Sequence, residues 1–116
     1  METEFEKGVR PWGGYQVLHV DGLMKVKRIV VTPKGRLSLQ YHHKRSEHWF
    51  IVQGRGKMEV GDAVWIVEKG DSMNIAVGLK HRIENVGTED LIFVEVQTGE
   101  AFDEDDIVRI SDDYGR

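Results

Sequence analysis

Cysteine is absent from the 116 residues, which excludes a disulfide framework, a thiolate nucleophile and a zinc–thiolate site. Long apolar runs are absent too. None approaches the ~20 residues that a membrane-crossing helix needs, and the acidic, polar start METEFEKGVR has no stretch resembling a signal peptide. There is no excess of positive charge: the formal net charge is -4, which disfavours a nucleic-acid surface. The expectation is a cytoplasmic protein that engages neither nucleic acid nor membrane. No helical stretch is convincing before the C-terminus.

What remains is a series of short runs rich in Val, Ile, Phe and Trp, separated by glycine-containing turns. Many short strands at regular spacing predict an all-β sandwich or barrel, with a jelly roll as the closed form that manages its edges. MKVKRIVVTP, LSLQYH, EHWFIVQG, GKMEV, AVWIVE, DSMNIAV, HRIENVG and LIFVEVQ are the strand candidates, with Gly61-Asp62 as a hairpin turn. The acidic-then-apolar DEDDIVRISDDYGR predicts a short C-terminal helix or an ordered arm. Length suits one domain, 1–116, with 1–9 as an N-terminal arm.

The densest chemistry lies in SLQYHHKRSEHWF, Ser38–Phe50. Gln40 and His42 are two apart, so on a strand they share one side, with Cβ atoms about 7 Å apart. Two such side chains can converge on one ion. Glu47 follows a short turn and can return its carboxylate to the same point. His81 comes much later, after a turn framed by Gly70 and Gly78. His43 and His48 have the opposite parity and read as structural or outer-sphere partners, although His48 stays a functional candidate because it adjoins Glu47. Trp49 shares the parity of Glu47 and suits a pocket wall or plain barrel packing. Lys27 shares a face with Ile29 and Val31. If that face is interior, a phosphate at the barrel mouth would give the lysine a reason to be there. Glu95 and Gln97 share a face with Phe93. Facing a cavity, Glu95 is a candidate base; facing out, both are ordinary sheet surface. Arg45 sits in the turn between the candidate ligands. The run DEDD reads as a solvated acidic turn.

These residues carry a resemblance. Gly35, then Gln40-x-His42, Glu47 and Gly54 is similar to the first motif of the cupins, with glutamine in place of the first histidine. Gly70, then Ala76-Val77-Gly78, His81 and Asn85 resembles the second motif, with alanine in place of a proline. RPWGGYQVL, KVKRIVVTPKGRLSLQYHHKRSEHW, HRIENVG, VEVQTGE and EDDIVRISDDYGR look like the cupin domain of type II mannose-6-phosphate isomerases, in which a Gln-x-His pair is usual. The resemblance implies a cupin-type double-stranded β-helix. It also implies a divalent ion on Gln40, His42, Glu47 and His81, zinc first, with manganese, cobalt, nickel or iron also suited to N/O ligands. The implied reaction interconverts mannose 6-phosphate and fructose 6-phosphate through an enediol. Arg45, Lys27 and Arg109 would hold the sugar phosphate, and Glu95, then His48, then Lys27 are the candidate bases. A homodimer is implied as well. No glycine-rich nucleotide-binding start precedes Arg10, so the expectation is a free-standing isomerase-like domain. Two other readings stay open: a metal- or sugar-binding cupin without catalysis, and another metal-dependent cupin enzyme such as an oxygenase.

Overall fold

The computed structural model describes residues 7–115. Eleven strands follow in chain order: β1 (Lys7–Arg10), β2 (Gly13–Val20), β3 (Met24–Val31), β4 (Leu39–His42), β5 (Arg45–Gln53), β6 (Arg55–Val60), β7 (Ala63–Glu68), β8 (Ser72–Ile75), β9 (His81–Asn85), β10 (Leu91–Gly99) and β11 (Ile107–Ser111). They form two antiparallel sheets, β1-β2-β3-β10-β5-β8 and β11-β4-β9-β6-β7. Among the described residues no helix is long and apolar enough to cross a membrane.

Side-chain alternation decides which residues meet inside. Along β5, Arg45, Glu47, Trp49 and Ile51 are buried, while His48, Phe50 and Val52 are exposed. Leu91, Phe93, Glu95 and Gln97 are the buried set of β10, and Lys27, Ile29 and Val31 that of β3. Register then lines these sets up. Phe93 lies opposite both Ile51 and Ile29, Glu95 opposite both Trp49 and Lys27, and Gln97 opposite Glu47. The interior is therefore apolar toward one end and polar toward the other. Val31, Ile51, Met58, Ile83, Leu91 and Phe93 are fully buried at the apolar end. Each large side chain removed from water there contributes roughly 1.5–3 kcal/mol. Trp49 closes that layer by stacking on Phe93 at 4.3 Å between centroids.

Two glycines hold the ends of β5 in place. Gly54 has φ +92, and a Cβ there would meet the Asp90 carbonyl oxygen at 2.8 Å. Gly99, at φ +145, lies against the start of β5, where a Cβ would come within 2.3 Å of the Lys44 carbonyl oxygen. Asn85, buried at the end of β9, donates to the carbonyls of Val31 and Glu89 and accepts from Gly87 N. Its role is to fasten the β9–β10 turn to β3.

The Gly61-Asp62 hairpin forms as expected, with Val60 opposite Ala63. Of the two C-terminal alternatives the ordered arm is the one found: the acidic run makes one 3-10 turn, Glu104–Asp106, and the chain then becomes β11 instead of a helix. Ile107 and Val108 are β-branched, and the free edge of β4 offers them ladder partners that a helix would forgo. Of the expected N-terminal arm, residues 1–6 lie outside the described residues, and Lys7–Arg10 is a strand paired with β2.

Candidate metal centre and active-site cavity

The polar end of the barrel opens as a cavity of about 110 Å³. His42, Glu47 and His81 converge in it from β4, β5 and β9, with their ligand atoms all within 4.8 Å of one another. His42 Nε2 is 3.1 Å from Glu47 Oε2, and His81 Nε2 is 3.7 Å from Glu47 Oε1. Each imidazole turns its other nitrogen to a main-chain oxygen: His42 Nδ1 to Asp106 at 3.2 Å, His81 Nδ1 to Leu79 at 2.9 Å. A carbonyl accepts only, so it selects the Nδ1–H tautomer and leaves the Nε2 lone pairs facing the carboxylate. A cation bound between them would relieve lone pairs that face one another at these distances. The donor set, two neutral imidazoles and one carboxylate, fits a divalent metal.

Glu47 is prepared for that role. Arg45 Nε donates to its Oε2 and Trp49 Nε1 to its Oε1, both at 2.9 Å. Burial pushes the carboxyl up, but the His42 contact, the two imidazoles whenever they are protonated, and the Arg45 guanidinium outweigh it and hold it well below the usual carboxylate range. Burial pushes His81 down against the pull of Glu47, which keeps it neutral and able to ligate. Gln40 lines the cavity and sits opposite His81 in the β4–β9 register. Its Nε2 is turned to Ser38, which leaves Oε1 as the end available to an ion.

Glu95 occupies the same cavity wall, 5% exposed. Burial, then the charge of Glu47, push its carboxyl up to about 8 against the opposing pull of Lys27. Gln97 Nε2 donates to Glu95 Oε1. Lys27 is buried beside it and its Nζ lies 4.8 Å from the centre of the Tyr15 ring. Arg109 reaches the cavity from β11.

Geometry separates two of the expected site residues from the roles expected of them. His48 points away from the cavity: it lies on the outer face of β5, exposed and hydrogen-bonded through Nδ1 to Asn74 Oδ1, and is not among the residues that line the cavity. Arg45 does line the cavity, but its guanidinium is turned to Glu47, to His42 Nε2 at 3.4 Å and to the Asp103 carbonyl at 3.4 Å. It braces the metal ligands where a phosphate contact was expected.

Sequence reasoning missed Arg10, Trp12 and Tyr15, which line the cavity from β1, β2 and the turn between them. Arg10 stacks on the Tyr15 ring at 4.9 Å and donates from Nη2 to its hydroxyl at 3.3 Å. Trp12 Nε1 is a buried donor without an acceptor among the described residues. The available signal was RPWGGY itself, a cation and two aromatics around a Gly-Gly pair with no apolar alternation to explain them.

Comparison with known proteins agrees with this architecture. The chain is 44% identical over 114 residues to the xanthan biosynthesis protein XanB of Xanthomonas campestris pv. campestris, covering 98% of this chain and 24% of that protein. It is 45% identical over 107 residues to a mannose-1-phosphate guanylyltransferase of Salmonella montevideo, covering 92% of this chain and 23% of that protein. It thus spans about a quarter of the length of these relatives. A Klebsiella pneumoniae protein with a double-stranded β-helix domain superposes with a TM-score of 0.74 at 19% identity, over 84% of this chain and 78% of that one. The fold is therefore the cupin-type double-stranded β-helix. A sequence model described as "Mannose-6-phosphate isomerase C-terminal" matches residues 1–112, and with the two relatives it establishes that the chain belongs to that family.

Proposed function

We propose that the cavity is the active site of a metal-dependent aldose–ketose isomerase that interconverts mannose 6-phosphate and fructose 6-phosphate. One observation carries the reading. A buried carboxyl with a raised pKa, Glu95, shares one small cavity with the His42, Glu47 and His81 cluster, and cations stand around it.

A divalent ion, zinc first, held by His42, Glu47, His81 and Gln40, would supply electrostatic stabilisation of the oxyanion that develops on the sugar. The protein's own groups account for the rest. Glu95, as carboxylate, removes the proton from C2 of the aldose while the carbonyl oxygen O1 takes up a proton, which gives the enediol. The protonated carboxyl then delivers a proton to C1 while O2 gives up its own, balancing the one taken up at O1, which yields the ketose and restores the base. Lys27 lies across the β3–β10 ladder from Glu95 and favours its ionised form. The cavity has room for only a few water-sized groups, so a sugar phosphate bound with C1 and C2 inside extends to the mouth. There Arg109 and Arg10, with Lys27, would hold the phosphate; all three line the cavity. Binding energy from that remote group orients the reacting carbons.

The test is NMR of mannose 6-phosphate in D₂O with metal-loaded protein. Fructose 6-phosphate should form, with deuterium at C1 or C2. Ketose without deuterium would keep the isomerisation but move it to a shielded proton or a hydride shift. No ketose and no exchange with zinc, manganese, cobalt, nickel or iron would sink the isomerase and leave a binding module.

A further inference from the structure

One acidic residue outside the ligand set grips the turn that carries His42. The main-chain oxygen of Asp106 faces His42 Nδ1 at 3.2 Å. Its carboxylate accepts from His43 N through Oδ1 and from Lys44 N through Oδ2, both at 2.9 Å. Three consecutive residues, from the end of β4 to the start of β5, are thus held by a single residue of the 3-10 turn. The next residue, Ile107, pairs with His42 in the β11–β4 ladder. Asp103, three residues earlier, accepts from Arg45 Nη1, so the turn also touches the arginine that braces Glu47. At its far end the same segment is tied to Arg36 by the Asp113 carboxylate and the Tyr114 hydroxyl.

This pattern does more than solvate an acidic run. Two main-chain N–H groups of a tight turn are satisfied by one carboxylate, which fixes the turn's shape. The main-chain oxygen then fixes the tautomer and ring plane of the ligand that the turn presents. Outer partners of this kind typically set metal affinity within ~10–100-fold. The segment that does the gripping also delivers Ile107 and Arg109 to the cavity wall.

We infer that Asp106 is a positioning residue for the metal centre, acting through His42, and that occupancy of the centre in turn tightens the C-terminal segment that carries Arg109. The second half follows from the first by linkage: if the docked segment favours the ion, the ion favours the docked segment by the same free energy. The inference rests on the metal reading above, but not on catalysis.

The experiment uses the full chain with zinc or cobalt alone. Parent, D106A and D106N proteins are titrated against a chromophoric chelator, cobalt absorption spectra are recorded, and backbone hydrogen exchange is followed over residues 100–115 with and without zinc. D106A should bind ~10–100-fold more weakly, with a changed cobalt spectrum. D106N, which keeps one acceptor oxygen, should fall between it and the parent. Zinc should slow exchange over Ile107–Ser111 in the parent and much less in D106A. Unchanged affinity and spectrum in D106A, even with a lower melting temperature of the metal-free protein, would reduce Asp106 to a structural role and overturn the inference. So would zinc-insensitive exchange in the parent. If D106A does not fold, D106N and the exchange measurement on the parent decide. A parent that takes up no metal overturns both the centre and this inference; a parent that takes up metal but turns over no sugar overturns only the isomerase reading.

Discussion

His42 Nε2 and Glu47 Oε2 stand 3.1 Å apart in the cavity, and His42 Nδ1 faces the Asp106 carbonyl, which leaves both atoms as acceptors. An ion bound here would take the lone pairs of both atoms, the same ones that a proton would take. Ion and proton therefore compete, and metal uptake should weaken as pH falls. Replacing His42 or His81 with alanine removes a ligand outright and should weaken uptake by more than the ~10–100-fold expected of an outer partner. E47Q keeps the size and one oxygen but loses the charge, so excess metal should restore part of its activity. Chelator competition at pH 6 and 8 checks the first two, and an isomerase assay of E47Q across a metal titration checks the third. Parent-like affinity in both histidine variants would displace the centre from this cavity.

Glu95 provides a signed pH test. Its folded carboxyl is raised to about 8 from an ordinary value of 4.5. The folded metal-free protein thus keeps a proton that the unfolded chain releases. Its contribution to stability is fully present below about 4.5 and is lost as pH rises through about 8. E95Q removes that loss, so the metal-free variant should gain melting temperature relative to the parent between pH 5 and 9. A gap that stays constant across that range would contradict the raised pKa. For the proposed isomerase the sign reverses in effect, because the base would have to be ionised. kcat/KM of the parent should rise with pH along a limb at or below about 8, and E95Q should lose turnover while still binding metal.

The cations should divide by task. K27M, R109M and R10M each remove a charge proposed to hold phosphate, and KM should rise by roughly tenfold to a hundredfold, the equivalent of one charged hydrogen bond. R45M should behave differently. Its guanidinium holds Glu47 and touches His42, so the loss should appear in metal affinity first. If R45M changed KM at saturating metal and left metal binding alone, the assignment of Arg45 as a brace would be wrong.

His48 supplies the negative control. Exposed and paired with Asn74 on the outer face, it should tolerate alanine with metal affinity and kcat/KM within about twofold of the parent, as surface changes away from special features usually do. A large loss of turnover in H48A would reopen its role as a base.

Much of this was legible in the sequence because strand parity is simple. The alternation in KVKRIVV and LIFVEVQ placed Lys27 with Ile29 and Glu95 with Phe93, and the structure turns both faces inward. His48 obeyed its parity too; adjacency to Glu47 in sequence had argued for it, and adjacency on a strand means the opposite face. What the sequence did not display was non-local pairing. Arg10 and Tyr15 reach the cavity only because β1 and β2 extend the sheet beyond β3. Asp106 lies far along the chain from His42, and its neighbours make it look like solvent-facing charge. The sequence sets Arg45 between the candidate ligands, and it lines the cavity there, but which of two acceptors a guanidinium takes, a carboxylate inside or a phosphate outside, depends on where its strand begins.

The five-stranded sheet has a weak seam. β4 and β9 share one register pair, Gln40 opposite His81, whereas β6 and β9 share a full run from Gly56–Asn85 to Val60–His81. His42 and His81 stand on the two sides of that seam, and Glu47 answers them from the opposite sheet. An ion held among the three would join parts of the chain far apart in sequence, in a protein that has no cysteine with which to do so. It would act as a removable cross-link, closing a long loop and riveting one sheet to the other. Heat should then report the rivet. Metal at a hundred times its Kd should add about 2.7 kcal/mol to the stability of the whole barrel, and a chelator should return a single cooperative transition to its lower temperature. Two separate transitions after chelation would mean that the seam opens alone, and that the ion holds an edge in place without fastening the fold.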